Sequence, residues 1–208
     1  MAVLDLPTTA SPKTAGRGNQ RRSEPLGIAG LRVRPLDPGT DGERLLDMCP
    51  RVSEQSRYQR FFNGLQRLSA PLLALLLDVD HAGREALVAL DGDAIIAVAR
   101  SAVGASHPTS ADVSLLVVED LQRRGIAREL LTRLESSARQ QGIRVFSASV
   151  LGENRQARGL LLAMHPEARG RFERGVYAYR YEIGAAAART PSPRVARPHR
   201  RLTESGVC

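Results

Sequence analysis

The sequence predicts an α/β (α+β) fold: a mixed, mostly antiparallel sheet with one parallel pair, flanked by helices. Three observations predict it. Residues 85–90 and 94–100 are apolar strand-forming runs on either side of Asp91-Gly92-Asp93, a strong short hairpin turn. Residues 112–118 form another such run, which turns at Glu119-Asp120-Leu121 and passes through the basic, glycine-bearing segment 122–127 into a helical pattern. A further strand follows that helix at 143–151, and strand–helix–strand implies a parallel pair with a right-handed crossover.

Taken in order, residues 1–29 are rich in Thr, Ser, Gly, Pro and Arg and lack apolar periodicity, which predicts a disordered leader. Residues 31–36 alternate apolar and charged side chains and read as the first strand, with Pro35 near its end or on an edge. After the turn 37–42, Leu45, Leu46 and Met48 mark a short helix stopped by Pro50. Ser53 is placed to cap a second helix ending at Phe61-Phe62, a pair read as a core anchor or as the wall of an acceptor cleft. Ser69-Ala70-Pro71 opens a third, with Leu72, Leu73, Leu75 and Leu76 as its buried side.

The hairpin strands come next, then a polar loop from Gly104 to Ser110 and the strand 112–118. The following helix carries Ile126, Leu130, Leu131, Leu134 and Ala138 on one face and ends at Gly142. Residues 157–164 form an apolar helix closed by His165-Pro166. Residues 171–175 read as a strand or turn, and 176–183 alternate as the last strand. The tail from Gly184 is Ala, Arg, Pro and Ser and is expected to be disordered.

Charge and cysteine usage exclude several classes. The net charge is +8. Residues 1–29 carry four basic and two acidic side chains, and 184–208 carry five and one, so residues 30–183 keep only +2. The folded part therefore lacks the composition of a specific nucleic-acid-binding domain. The apolar runs are far shorter than the roughly 20 residues a bilayer span needs, so no membrane partner is expected. Cys49 and Cys208 make neither a metal nor a disulfide pattern, which points to the reducing cytoplasm and to no metal cofactor.

The segment from Gln122 to Arg128 carries the chemistry. A helix start leaves backbone N–H groups without intrahelical partners and concentrates positive potential, Arg123, Arg124 and Arg128 add charge, and Gly125 lets backbone approach a ligand closely. These features read as a phosphate or pyrophosphate cradle.

With the element order, Gln122-x-x-Gly125-x-Ala127 resembles the pyrophosphate motif Q/R-x-x-G-x-G/A of the GNAT superfamily of N-acetyltransferases, over about residues 30–183. Ser56-Arg57-Tyr58-x-Arg60-Phe61-Phe62, Asp78-Val79-Asp80, 85–89 and 97–100 look like the bacterial protein-lysine acetyltransferases of that superfamily. Those often carry an additional domain, for which this chain has no room. The resemblance implies a central, splayed parallel pair and acetyl-CoA as cosubstrate. It places the pyrophosphate on Gln122, Arg123, Arg124, Gly125, Ile126, Ala127 and Arg128. It places the pantetheine on the backbone of Leu116, Val117 and Val118, with an oxyanion-binding N–H near Leu116, and assigns a further cofactor contact to Asn154.

Asp112 stands where the lysine-acetylating relatives carry a glutamate base, and its plain alternative is an exposed aspartate at a strand start. Asn154 also suits a helix cap. The tyrosine that many members use as an acid is replaced by Leu161, and His165 reads as a helix-end histidine or a proton donor. The implied function is acetyl transfer to an amine, a protein lysine or a small molecule. The alternative is a non-catalytic acyl-CoA-binding sensor or interaction module of the same fold.

Overall fold

The computed structural model describes residues 31–62, 67–104 and 107–184. The expected leader and nearly all of the expected tail lie outside these residues. The described chain runs β1 (Leu31–Pro35), α1 (Gly42–Met48), α2 (Glu54–Phe61), α3 (Ala70–Leu77), β2 (Arg84–Asp91), β3 (Ala94–Gly104), β4 (His107–Val117), α4 (Ile126–Gln140), β5 (Val145–Leu151), α5 (Arg155–Met164), β6 (Arg169–Glu173) and β7 (Val176–Glu182). One seven-stranded sheet takes the order β1-β2-β3-β4-β5-β7-β6. Only β4 and β5 pair in parallel, as the crossover through α4 predicts.

Local chemistry accounts for most boundaries. Pro50 falls in a 3-10 turn, Cys49–Arg51, that ends the first helical stretch. The Ser53 hydroxyl accepts from Ser56 N–H and caps α2 (3.1 Å). Gly92 and Gly142 take positive φ, 59° in the hairpin turn and 85° after α4, conformations that favour glycine.

Three local expectations differ. The Gly104–Ser110 loop is mostly strand, because β3 and β4 run on to Gly104 and from His107. Only Leu76 of α3 is buried and Leu75 is 45% exposed, because this short helix meets the core along one narrow stripe. The Phe61-Phe62 pair is no core anchor. Phe62 adopts a left-handed conformation and is 41% exposed, while Phe61 faces a cavity.

The two faces of the sheet can be assigned from register. Val98 pairs with Leu116 and Arg100 with Ser114, and these side chains line a cavity with α1 residues Leu45 and Met48. Glu85 pairs with Ser101 on the other face and accepts from Ser137 of α4 (3.1 Å). The first three helices and α4 therefore cover opposite faces. β2 and β3 between them are buried almost throughout.

No helix among the described residues is long and apolar enough to cross a membrane.

Candidate active site

β4 and β5 pair only at Ser110–Val145, Ala111–Phe146 and Asp112–Ser147. Beyond that rung β5 keeps β7 as its partner and β4 keeps β3, so the two strands part and leave a gap. Strand alternation decides which backbone groups face it. Thr109 C=O accepts from Arg144 N–H on the β5 side (2.8 Å), whereas Val118 N–H donates to Ile96 C=O on the β3 side (2.9 Å). Odd-numbered residues of β4 therefore turn their N–H and C=O toward the gap. Val113, Leu115 and Val117 present backbone groups there, while the amide of Leu116 belongs to the β3 ladder. The backbone contact expected near Leu116 falls on its two neighbours.

At the open end of the gap lies a solvent-open cleft of about 270 Å³. It gathers Leu116, Val117, Gln122, Arg123, Gly125, Ile126, Ala127, Arg128 and Asn154, residues the sequence singled out from three separate segments. Val118 is fully buried and Arg124 is exposed; neither lines the cleft.

The cleft is electropositive for structural reasons. Among the described residues no side chain caps α4, and the first bond into the helix is Glu129 N–H to Gly125 C=O (3.1 Å). The N–H groups of Ile126, Ala127 and Arg128 precede that bond. Arg123 (φ 59°) and Gly125 (φ 86°) take left-handed conformations, which bend the turn so that successive amides can converge. A fifteen-residue helix adds its dipole at the same end.

Gln122 does more than line this cleft. Its Nε2 donates toward Val117 C=O (3.3 Å), Ser56 Oγ (3.3 Å) and Glu119 Oε2 (3.2 Å). Ser56 also donates to Glu119 (2.8 Å). Burial alone raises the Glu119 carboxyl, but the hydroxyls of Ser56 and Ser53 outweigh it and hold it below the usual carboxylate range. This cluster clamps α2 to the turn before α4. Asn154 accepts from Ala157 N–H (3.0 Å) and caps α5, so the cap and the cleft-lining position coincide in one side chain.

Asp112 is exposed and accepts a hydrogen bond from the Ser147 hydroxyl at the last shared rung. Its side chain lies on the same face as Ser114 and Leu116, roughly 7 Å along the strand from Ser114. It lines neither cavity.

Leu161 is buried and, among the described residues, no tyrosine lines the cleft. His165 ends α5, donates from Nε2 to Glu135 Oε1 (2.8 Å) and packs on Tyr181 with ring centroids 4.3 Å apart. Burial disfavours its charged form, but Glu135 outweighs this and raises its pKa. His165 is therefore a packing histidine rather than a cleft residue.

Arg60 was not legible as a site residue. It lines both the cleft and a second, tight cavity of about 20 Å³ beneath α1–α3. Its Nη2 donates to Ser114 Oγ (2.8 Å) and its guanidinium lies over Phe61 at 4.8 Å. Burial, with the nearby charge of Arg100, pushes its pKa down to about 10. Among the described residues, no group of three or more His, Cys, Asp or Glu is arranged to hold a metal ion.

Residues 47–171 match the model of the acetyltransferase (GNAT) family. Over 131 residues, 62% of this chain, the sequence is 34% identical to acetyltransferase Pat of Mycolicibacterium smegmatis, of which it covers 39%. The chain thus spans about two fifths of that curated relative's length. The GNAT domain of PAT from S. lividans aligns with a TM-score of 0.68 at 33% identity, covering 73% of this chain and 90% of that domain. A cAMP-binding acyltransferase from Mycobacterium smegmatis aligns with a TM-score of 0.53 at 26% identity, over 78% of this chain and 46% of that one.

Proposed function

Because the chain belongs to the acetyltransferase (GNAT) family, we propose that it is an acetyl-CoA-dependent N-acyltransferase that acts on an amine in the cytoplasm. The resemblance of 56–62 and 78–80 to protein-lysine acetyltransferases supports a protein lysine as acceptor. Residues 30–183 form the acyltransferase unit on this reading.

The observation that carries the reading is the continuity of the β4–β5 gap with the uncapped start of α4. A strand gap offering backbone donors and acceptors suits the amides of a pantetheine arm. The helix start suits the pyrophosphate joined to it. When bound, acetyl-CoA supplies an activated acyl thioester.

The chain's own residues do the rest. The N–H groups of Ile126, Ala127 and Arg128 hold the pyrophosphate, with Arg123 and Arg128 neutralising its charge and Arg124 adding positive potential only from outside the cleft. Val117 and Leu115 orient the arm through their backbone groups. One of those amides faces the thioester oxygen and stabilises the charge that develops there during attack. Val118 supports this strand from the β3 side, and Asn154 borders the cleft from α5.

The attacking amine must shed a proton. Asp112 is the candidate base. Because it lines neither cavity, it would act through a water relay, with the Ser147 hydroxyl holding the carboxylate. Among the described residues no tyrosine lines the cleft, so protonation of the leaving thiolate would fall to solvent.

Replacing Asp112 by Ala tests the assignment. Loss of a general base lowers kcat by about 10²–10⁴-fold, with the acetyl-CoA Kd unchanged, and Asp112→Glu retains turnover. The assay is thiol release from acetyl-CoA in the presence of lysine-bearing proteins and small amines. Unchanged turnover in Asp112→Ala removes the residue from the mechanism. Saturable acetyl-CoA binding without turnover by the wild-type chain, for any acceptor, identifies the non-catalytic acyl-CoA sensor instead.

A further inference from the structure

We propose that the open sheet face of β5, β7 and β6 is the docking surface for the acceptor, and that the acceptor is an extended protein segment with an acidic side chain four residues from its reacting lysine. The inference rests on the acyl-CoA reading above, because the surface begins at Asp112.

Register places one row of side chains across four strands. Asp112 of β4 pairs with Ser147 of β5, Ser147 with Arg180 of β7, and Arg180 with Arg169 of β6. Residues directly opposite each other point to the same face of a sheet. Phe146 and Tyr181, one position along from Ser147 and Arg180, point to the other face and are buried, and Arg158 of α5 covers Tyr177 there at 3.9 Å. On the face of the row, Ala178 of the middle strand is exposed, as are its register partners Ser149 and Arg171. A methyl group in a middle strand stays exposed only where nothing packs on it. Among the described residues, this part of the sheet is therefore uncovered, and its small side chains leave a shallow floor for an extended backbone.

The row is also unusual in charge. Arg169 and Arg180 lie directly opposite each other and both are exposed. Among the described residues, neither makes a side-chain hydrogen bond or an ion pair. Arg171 differs, since it pairs with Glu173 (3.6 Å). Like charges directly opposite each other destabilise a sheet, so stability does not account for the Arg169–Arg180 pair. An anion within reach of both offsets the repulsion. The chain's own termini do not suit the place, because residues 1–29 and 184–208 carry net charges of +2 and +4.

Spacing narrows the partner. Adjacent strands lie about 4.8 Å apart, which sets Arg180 about 10 Å and Arg169 about 14 Å from Asp112 along the row. An extended segment crossing the strands advances about 3.3 Å per residue, and alternate residues face the same way. With the lysine at Asp112, the fourth residue along lies about 13 Å away, faces the sheet and falls between the two arginines.

The basic termini attract any acidic peptide, so the experiment compares peptides of equal net charge. Two labelled peptides share one composition and one lysine. In one, glutamates occupy the fourth position on either side of the lysine; in the other, they stand at the peptide ends. Fluorescence anisotropy with CoA present gives Kd, and thiol release from acetyl-CoA gives kcat/KM. The expected result is about fivefold or tighter binding of the first peptide, the size of one or two exposed ion pairs. The preference shrinks toward about 1 M salt, where the screening length falls to about 3 Å.

Arg169→Gln with Arg180→Gln abolishes the preference and leaves the acetyl-CoA Kd unchanged. Arg169→Glu with Arg180→Glu turns it toward a peptide with arginines in place of the glutamates. Should these variants fail to fold, the wild-type comparison decides alone. Equal affinity for the two peptides, or a preference that survives in the glutamine variant, overturns the docking surface. Single-stranded DNA that competes in the wild type and not in that variant identifies a nucleic-acid surface and overturns it as well. Saturable acetyl-CoA binding alongside either result spares the cofactor reading, and absence of acetyl-CoA binding overturns the reading beneath.

Discussion

Replacing Asp41 by Ala is expected to destabilise the fold by about 3–5 kcal/mol, the cost of breaking a buried ion pair from one side. Asp41 has no exposed surface. Its Oδ1 accepts from Arg34 Nη2 (2.6 Å) and Arg44 Nη1 (3.1 Å), and its Oδ2 accepts from Arg34 Nη1 (2.6 Å) and Asp37 N–H (2.8 Å). Removal leaves two arginines and a backbone donor unmatched where β1 meets α1. Denaturant unfolding followed by circular dichroism reads the loss. A loss under about 1 kcal/mol, the size of a surface pair, contradicts this account.

The same carboxylate sets a pH dependence with a definite sign. Burial is the largest influence and raises its pKa, but Arg34, the Asp37 amide and Arg44 together outweigh it and hold it below the ordinary carboxylate value. A folded pKa below the unfolded one contributes stability above the unfolded value, near about pH 4, and that contribution disappears as pH falls through the folded value. The stability difference between wild type and Asp41→Asn is therefore expected to be largest at neutral pH and to shrink in acid.

The largest effect on cofactor binding is expected from Ala127→Glu. Ala127 lies in the first turn of α4 and lines the cleft. A glutamate there suits the helix, since a negative charge near its N-terminus is worth about 0.3–1 kcal/mol. It also fills the place reserved for the pyrophosphate with like charge. Thermal stability is expected to hold or rise while CoA affinity falls about a hundredfold or more, about 2.7 kcal/mol. Opposite signs for stability and binding separate a ligand site from a general structural lesion. Equal CoA affinity in the variant and the wild type contradicts the placement.

Local features of the site were legible in the sequence because the chain brings them together within a few residues. Gly125, the flanking arginines and the start of α4 form one continuous segment, and the Asp91-Gly92-Asp93 hairpin is equally local. The parallel pair followed from the single crossover through α4. Long-range chemistry was not legible. Ser56 and Gln122 meet across 66 residues, and Arg60 reaches Ser114 across 54. Nothing in the local pattern of α2 distinguishes Arg60 from a solvated arginine.

Burial of Asp41 was hidden for a similar reason. In sequence it is one polar residue of a turn, and its role depends on Arg34 arriving from β1. Which amides near Leu116 face the gap was not legible because alternation needs a known partner strand, and the bond from Val118 to Ile96 supplies that phase. The pairing of β6 with β7 at the sheet edge, rather than with β5, likewise depends on contacts distant in the chain.

The central claim is that the β4–β5 gap and the start of α4 form a single acyl-CoA site. Calorimetric titration of the wild-type chain with acetyl-CoA and with acetyl-pantetheine, which shares the arm and thioester but lacks the pyrophosphate, tests it most directly. The account predicts saturable one-to-one binding of acetyl-CoA and affinity at least about a hundredfold weaker for acetyl-pantetheine, equivalent to about 2.7 kcal/mol. Equal affinity for the two ligands, or no binding of acetyl-CoA at millimolar concentration, would contradict it.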